Sequence, residues 1–262
     1  MKLNSLMYHA IEAARTECRY SFSLAEFKSH LAALRAAVGG APAVPVGAAD
    51  MSGFAVTFDD GHVGWLQAAE ALDALQWKAS FFVVTGLIGT KSSVNRSDIK
   101  RLAEMGHVIG SHSADHPRRL SGRDDAFILD QWRRSKAVLE DILGREVANA
   151  SVPGGYYSAR VARAAEAAGI RNLFTSEPVA TSWNVGRCRV LGRFVLTNEM
   201  TRERIARIAV GARGEHARQY CWWNCKKAVK SVALAPYLSI RGRLHRLAQR
   251  MPRGGSMTRG QV

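Results

Sequence analysis

Short apolar runs alternate with amphipathic stretches along the first 200 residues of the chain. The apolar runs end at polar or glycine-containing turns, which is typical of short buried strands. This spacing predicts repeated strand–helix units around a mostly parallel sheet. Seven strands are predicted, at Leu3–Tyr8, Gly53–Phe58, Ala79–Thr85, Val108–Ser111, Ala148–Val152, Asn172–Thr175 and Val190–Phe194.

Helical periodicity fills the segments between these strands. Ser23, Ser97 and Ser158 stand where N-caps are expected, because a serine hydroxyl accepts a hydrogen bond from the free N–H groups at a helix start. The expected fold is α/β: a distorted (β/α) barrel of about seven strands, followed by a basic helical C-terminal extension. Helices are predicted at Leu24–Ala37, Gly64–Gln76, Arg96–Met105, Asp124–Leu143, Ala159–Ala168 and Arg202–Val210.

The positive charge is concentrated after residue 200. The formal net charge of +15 combines 37 Lys and Arg with 22 Asp and Glu. Residues 201–262 hold 14 of those cations but only two of the acids, Glu203 and Glu215. Residues 1–200 are therefore predicted to form one α/β domain, and residues 201–262 a basic amphipathic helical extension that ends in a disordered tail.

The basic extension also bears on partners and location. Trp222 and Trp223 lie among lysines, a combination that predicts peripheral contact with an anionic membrane, although a solvated basic helix explains it equally well. No nucleic-acid motif accompanies the charge, so nucleic acid is not an expected partner. The sequence shows neither a secretory signal pattern nor a stretch of about 18 apolar residues. A cytoplasmic location is expected, with peripheral attachment at the inner membrane face left open.

Two adjacent carboxylates follow the second predicted strand. Asp59 and Asp60 come directly after an apolar run, and Gly61 allows the chain to turn behind them. Successive residues of a strand point to opposite sides, so one carboxylate can bind a metal while its neighbour stays available as a base. Two acids held this close repel each other unless a cation or a proton relieves the repulsion.

Two histidines follow the fourth predicted strand at a spacing of four residues. His112 and His116 would lie on one face of a helical turn. Two histidines and one carboxylate with open positions are a common ligand set of hydrolytic metal sites. Asp60 completes such a set, because the carboxyl ends of parallel strands meet at one edge of the sheet.

Several motifs together resemble the polysaccharide deacetylase family, carbohydrate esterase family 4. The strongest are TFDDG at Thr57–Gly61 and SHSADH at Ser111–His116, and the resemblance spans about residues 3–197. MYHAI at Met7–Ile11, FFVVTGLIG at Phe81–Gly89 and SVPGG at Ser151–Gly155 are similar to further family segments. The resemblance implies a metal-dependent hydrolase that removes N-acetyl groups from an amino-sugar polysaccharide, oligosaccharide or lipid-linked glycan precursor.

The resemblance also implies roles for single residues. Asp59 would be the general base, and Asp60, His112 and His116 would bind a divalent metal, for which zinc is the first expectation. The amide of Gly154, after Pro153, would help to form the oxyanion hole. Zinc suits a His, His, Asp ligand set, although cobalt, nickel or manganese would also fit it.

The sequence departs from the family pattern at two positions. Ser151 stands where the family usually has an arginine that orients the catalytic aspartate, and Arg193 stands where it usually has a histidine that acts as general acid. We expect Arg193 to project into the site and to take over the orienting role. The general acid would then be supplied by His62 or His9.

Further residues are candidates for substrate binding: His9, His62, Pro153, Tyr156 and Trp183. Trp183 offers an aromatic face that a sugar ring can stack on, although an ordinary packing role explains it as well. Two other functions stay open. One is a carbohydrate-binding barrel that has lost turnover, and the other is hydrolysis of a different C–N bond in a small metabolite. Among glycans, a precursor in exopolysaccharide, lipopolysaccharide or similar surface-glycan synthesis is favoured.

Overall fold

The computed structural model describes the backbone of residues 2–14, 16–46 and 52–232, with side chains as far as residue 225. Eleven strands lie within these ranges. They are β1 (Leu3–Tyr8), β2 (Ala10–Glu12), β3 (Ser21–Ser23), β4 (Gly53–Asp60), β5 (Ser80–Val83), β6 (Val108–Ser111), β7 (Asn149–Ser151), β8 (Asn172–Phe174), β9 (Ser182–Val185), β10 (Cys188–Leu191) and β11 (Phe194–Val195).

Seven α-helices lie in the same ranges, and all six predicted helices are confirmed. They are α1 (Leu24–Ala37), α2 (Trp65–Asp73), α3 (Arg96–Glu104), α4 (Asp125–Leu143), α5 (Ala159–Ala167), α6 (Arg202–Ala209) and α7 (Arg213–Val232). Ser23 and Ser158 are N-caps as predicted. The predicted cap at Ser97 is wrong, because Asn95 caps α3 and accepts a hydrogen bond from the amide of Asp98.

One sheet of nine strands organises the fold. Its order is β11-β1-β4-β5-β6-β7-β8-β10-β9, and every neighbouring pair is parallel except β9 with β10. The prediction of a mostly parallel α/β barrel is confirmed. The count of about seven strands was too low, because β9 has no buried apolar run and the predicted strand Val190–Phe194 is divided into β10 and β11.

The sheet curls because its two ends are joined by two residues. β10 pairs with β8, whereas β11 pairs with β1 at the opposite end of the strand order. Only Gly192 and Arg193 separate β10 from β11, and so short a connection spans at most about 11 Å. The strands from β1 to β8 must therefore bend round until their ends almost meet. We call the connection formed by Gly192 and Arg193 the seam of the curled sheet.

The outer surface of the curled sheet packs against the helices through an aromatic core. The rings of Phe58 and Phe81 stack at 4.7 Å between centroids, and the ring of Trp65 lies 5.1 Å from that of Phe81. Ile205 and Ile208 of α6 are buried in the same core. A compact unit accordingly runs from Met1 to Tyr220, past the domain boundary expected at residue 200.

The basic extension is described only in part. Helix α7 begins at Arg213, within the predicted basic helical extension. The expected disordered tail lies outside the described residues. No helix within the described ranges is long and apolar enough to cross a membrane.

The seam supplies a test of the fold. A Cβ atom at Gly192 would lie 2.4 Å from the carbonyl oxygen of Val179 and 2.5 Å from that of Glu177. We expect Gly192→Ala to destabilise the protein by about 3 kcal/mol, since overpacking against backbone cannot be relieved by a side-chain rotation. Gly214→Ala is the control, because nothing lies within 4 Å of its added methyl group. Urea unfolding of both variants measures the effect, and equal stabilities would contradict this account of the seam.

Candidate active site

The predicted site residues lie at the carboxyl ends of neighbouring strands. Asp59 and Asp60 are the last residues of β4, His9 follows β1, and Ser151 ends β7. Strand register aligns them, since Asp60 pairs with Val83, Val83 with Ser111, and Ser111 with Ala150. The parallel sheet thus brings residues from four distant segments to one edge.

Asp60, His112 and His116 form a group that can hold a metal ion. The Oδ1 atom of Asp60 lies 3.3 Å from Nε2 of His112 and 3.4 Å from Nε2 of His116. The three donor atoms all lie within 4.8 Å of one another. One carboxylate and two imidazoles are a donor set suited to zinc and related divalent metals.

The orientation of His112 fits metal binding. Its Nδ1 atom lies 3.0 Å from the carbonyl oxygen of Ser151, which can only accept, so Nδ1 carries the ring proton. In the neutral ring the lone pair is then on Nε2, which lies on the side of Asp60. A histidine ligand that donates its other N–H to a carbonyl is a recurrent feature of metal sites, because the bond fixes the tautomer and the ring plane.

The loop that carries the two histidines is not the helical turn that their spacing suggested. Ser113 and His116 have positive φ angles of 68° and 47°, and the residues between the histidines are irregular. Hydroxyl groups hold this loop: Ser111 Oγ accepts from the amide of Ser113 at 3.1 Å, and Ser113 Oγ accepts from that of His116 at 3.1 Å. Asp60 is also left-handed, with φ of 84°. Such backbone costs about 1–3 kcal/mol per residue and is typical of functional sites.

Asp59 forms a buried ion pair with Arg193. The carboxylate is 2% exposed and the arginine 0%. The two terminal guanidinium nitrogens donate to Oδ1 and Oδ2 of Asp59, each at 2.7 Å. Burial alone would raise the pKa of Asp59, but the charge and the hydrogen bonds of Arg193 outweigh it and hold the pKa below its usual value.

Ser151 closes a triangle with this pair. Its hydroxyl accepts from Arg193 Nη2 at 2.6 Å and donates to Asp59 Oδ2 at 3.0 Å. Asp59 Oδ2 therefore accepts two hydrogen bonds, whereas Oδ1 accepts one in this network and keeps a lone pair for a further proton. Sequence reasoning noted Ser151 only as a missing arginine. It missed the hydroxyl as a partner, because the contact joins β7 to β4 across the sheet edge.

All five N–H donors of Arg193 are used. Besides Asp59 and Ser151, its Nε donates to the carbonyl oxygen of Thr175 at 3.0 Å, and Nη1 also faces Oγ1 of Thr57 at 3.3 Å. The rings of Phe82 and Phe174 flank the guanidinium, 5.5 Å and 5.7 Å from Cζ. The arginine is therefore held in one orientation. Nothing in the local sequence identifies Thr57 or Thr175 as its partners.

The two histidines considered as general acids differ in their surroundings. Burial lowers the pKa of His9, while the charges of Asp60 and Asp59 oppose that shift, so the ring lies within electrostatic reach of both carboxylates. Its Nδ1 atom is buried and has no hydrogen-bond partner among the described residues. His62 is engaged elsewhere: Nδ1 accepts from the amide of Gly64 at 3.0 Å, and Nε2 lies 3.1 Å from Oε1 of Glu12.

The remaining candidates lie on the loop after β7 and on β9. Gly154 has φ of 66°, and a Cβ there would lie 2.7 Å from the carbonyl oxygen of Arg118, so glycine is required. Pro153 is buried before it. The indole N–H of Trp183 donates to the hydroxyl of Tyr157 at 3.0 Å, and their rings meet edge to face. Trp183 is therefore partly committed to packing.

Comparisons with known proteins agree with this geometry. Residues 48–173 match the family model for polysaccharide deacetylases. A relative is YxkH of Bacillus subtilis (strain 168), whose name marks it as a provisionally assigned polysaccharide deacetylase, 30% identical over 132 residues that make up 50% of this chain and 47% of that protein. A gellan lyase from Bacillus sp. is 33% identical over 106 residues but is matched over only 4% of its length.

Solved structures share the fold. A polysaccharide deacetylase from Bacillus cereus superposes with a TM-score of 0.70 at 21% identity, over 80% of this chain and 69% of that one. IcaB from Ammonifex degensii gives a TM-score of 0.68 at 22% identity, over 79% of this chain and 97% of that one. The fold and the clustered motifs define a curled α/β barrel. Over residues 48–173 the chain is similar to the polysaccharide deacetylase family.

The buried pair generates a stability prediction. We expect Arg193→Met to cost about 3–5 kcal/mol, because it leaves the Asp59 carboxylate buried without its counter-ion. The double variant Asp59→Asn, Arg193→Met should recover a large part of that loss, since both charges are then gone. Urea unfolding of the two single variants and the double variant completes the cycle.

A surface pair serves as the control for this cycle. Arg171 and Glu146 form an ion pair whose side chains are both more than half exposed. Arg171→Met should cost less than about 1 kcal/mol. If Arg193→Met were equally mild, the pair would not hold the site together.

Proposed function

We propose that this chain is a metal-dependent hydrolase that removes N-acetyl groups from an amino-sugar polysaccharide, oligosaccharide or lipid-linked glycan precursor. The observation that carries the proposal is the pairing of two functions on adjacent residues. Asp60 faces two imidazole nitrogens as a metal ligand would, while Asp59 is turned the other way and fixed by Arg193. Similarity to the polysaccharide deacetylase family over residues 48–173 supports the same reaction.

The residues divide the work of amide hydrolysis. A divalent metal, for which zinc is our proposal, would be held by Asp60, His112 and His116 and would supply an acidified water and a polarised acetyl carbonyl. Asp59 Oδ1 has the free lone pair that can take a proton from the attacking water. The Gly154 amide is placed on the neighbouring loop as a donor for the developing oxyanion.

Proton delivery to the leaving amine falls to His9. Arg193 occupies the position where the family usually has a histidine, and a guanidinium does not release a proton at neutral pH. His9 is half-buried within electrostatic reach of both carboxylates, and its Nδ1 has no hydrogen-bond partner among the described residues, whereas both nitrogens of His62 are engaged. The backbone of His9 is itself fixed, since its carbonyl oxygen accepts a hydrogen bond from Trp65 at 2.9 Å.

A barrel that binds carbohydrate without turnover is the main alternative. This alternative is motivated by the two departures from the family pattern, at Ser151 and Arg193. The triangle of Asp59, Ser151 and Arg193 weighs against it, because an arginine still orients the carboxylate although it comes from the connection between β10 and β11. Hydrolysis of another C–N bond would use the same residues, and acetate release on defined substrates separates it from deacetylation.

A turnover assay tests the proposal. We expect wild-type protein to release acetate from N-acetylglucosamine oligomers, and Asp59→Asn to lower kcat roughly 10²–10⁴-fold because it removes the proton acceptor. His112→Ala should lose bound metal, measured by mass spectrometry of the dialysed protein. Asp141→Asn, an exposed carboxylate on α4, is the control and should match wild type. Acetate release by Asp59→Asn within tenfold of wild type would contradict the assignment of the base.

We also propose peripheral contact with the inner face of an anionic membrane, which would place the enzyme in the cytoplasm beside lipid-linked precursors of exopolysaccharide or similar surface glycans. Helix α7 supports this proposal. Its side chains include Tyr220, 51% exposed, and Trp222, 58% exposed, and the chain after residue 201 is strongly basic. Exposed aromatic residues favour the headgroup region, and cations favour anionic lipids.

Vesicle binding measures this contact. The full chain should sediment with vesicles that contain phosphatidylglycerol and should do so less as salt rises. Trp222→Ser combined with Tyr220→Ser should weaken binding several-fold. Leu87→Ser, another exposed apolar residue, is the matched control and should bind as wild type does. Equal binding of all three proteins would exclude α7 as the contact.

A further inference from the structure

A group of arginines follows the second metal-binding histidine and has no part in the site described above. The segment from His116 to Arg123 reads HPRRLSGR, with three arginines and no acid. Arg118 and Arg119 are both exposed. At 3.8 Å between consecutive Cα atoms, the Cα of Arg118 lies within about 8 Å of that of His116, which is the scale of one sugar unit from the reacting centre.

The loop after β7 holds these arginines at the rim of the site. The Arg118 carbonyl is packed against Gly154, where it leaves no room for a Cβ. The Arg119 guanidinium lies over the ring of Tyr156, with Cζ 5.6 Å from its centroid. The Arg119 stem passes Gly122, where an added Cβ would lie 3.5 Å from its Cγ and Cδ atoms. Arg119 is thus supported on two sides while its charge faces solvent.

The positive charge at this rim is not neutralised within the protein. Some exposed arginines of the same unit pair with acids, as Arg96 does with Asp141 and Arg171 with Glu146. No carboxylate lies within 4.0 Å of the Arg118 or Arg119 side chain in the part of the chain whose side chains are described. The acid nearest in sequence, Asp115, is bound to Arg134 and Gln131.

We propose that Arg118 and Arg119 bind an anionic group, a carboxylate or a phosphate, that the substrate carries next to its acetylated sugar. Guanidinium groups match both kinds of anion, because their parallel N–H donors reach two oxygens at once. The inference rests on the proposed deacetylase function and narrows its substrate class from amino-sugar glycans in general to acidic ones. A neutral glycan would leave both charges at the rim without a counterpart.

Direct binding tests the inference without requiring turnover. The metal-loaded full chain is titrated calorimetrically at low ionic strength with N-acetylglucosamine, with its 1-phosphate, and with a disaccharide of glucuronic acid and N-acetylglucosamine. We expect the two anionic probes, or one of them, to bind at least tenfold more tightly than the neutral sugar. The preference should shrink as salt is added, because exposed charges are screened. A response to only one anionic probe identifies the phosphate or the carboxylate as the preferred group.

Paired variants assign the preference to this rim. Arg118→Gln with Arg119→Gln should lower the ratio of anionic to neutral affinity at least tenfold, and Arg118→Lys with Arg119→Lys should keep part of it. The control, Arg133→Gln with Arg145→Gln, removes the same charge from exposed positions on and after α4 and should keep the full ratio. A ratio near one in wild type would overturn the inference. So would a ratio that persists in the glutamine variant, since the anion would then bind elsewhere, for instance at the metal.

Acetate release from the same probes reports separately on the proposed function. An anionic preference that depends on Arg118 and Arg119, without acetate release, would support the anion site and count against deacetylation. Acetate release from all probes at equal kcat/KM, with equal affinities, would support deacetylation and overturn the anion site.

Discussion

The ion pair between Arg193 and Asp59 joins the seam of the curled sheet to its catalytic edge. Moving two charges out of water is costly, and such a pair is favourable only when geometry and further hydrogen bonds compensate. Here every guanidinium donor has an acceptor, drawn from β4, from β7 and from the residue after β8. The connection between β10 and β11 is only two residues long, so the arginine cannot move without moving the closure of the sheet.

The metal-binding group depends on the same constraint through the backbone. The Asp59 side chain is bound to Arg193 at the seam. The next residue, Asp60, has a positive φ, and its carboxylate faces His112 and His116. The left-handed conformations at Asp60, Ser113 and His116 are unfavourable in isolation. They persist because Ser111, Ser113 and Ser151 hold the surrounding loops by hydrogen bonds. Ser151 links the two halves, since its hydroxyl contacts Asp59 and its carbonyl fixes the ring of His112.

The local sequence pattern was sufficient to predict most strands and helices and the residue types at the carboxyl edge of the sheet. It was not sufficient to predict which of those residues contact one another. Apolar runs and helical periodicity located all seven predicted strands and all six predicted helices, because burial dominates both signals. They missed the short strands β2 and β3, the partly buried strand β9, and the split at Gly192, which arises from close approach of the chain to Glu177 and Val179. The spacing of His112 and His116 suggested a helical turn, yet the structure uses an irregular loop. Arg193 stood out in the sequence as a departure from the family, whereas its partners Thr57 and Thr175 are set by the sheet register.

The arginine at the seam also changes how protons must move. A carboxylate paired with a guanidinium is a weaker base than an unpaired one, so in the proposed mechanism Asp59 would rely more on the acidity that a bound metal gives to water than on its own proton affinity. The same substitution removes a histidine that would donate the returning proton. Most other histidines of the described chain have structural surroundings: His30 packs among aromatic rings, His107 accepts from the amide of Ala79, and His216 stacks on Phe194. Once the two metal ligands and His62 are set aside, His9 remains as the imidazole beside the carboxylates. In the proposed mechanism, the arginine at position 193 would therefore shift proton return from the seam to the end of β1, while the residues proposed to bind the metal stay in place.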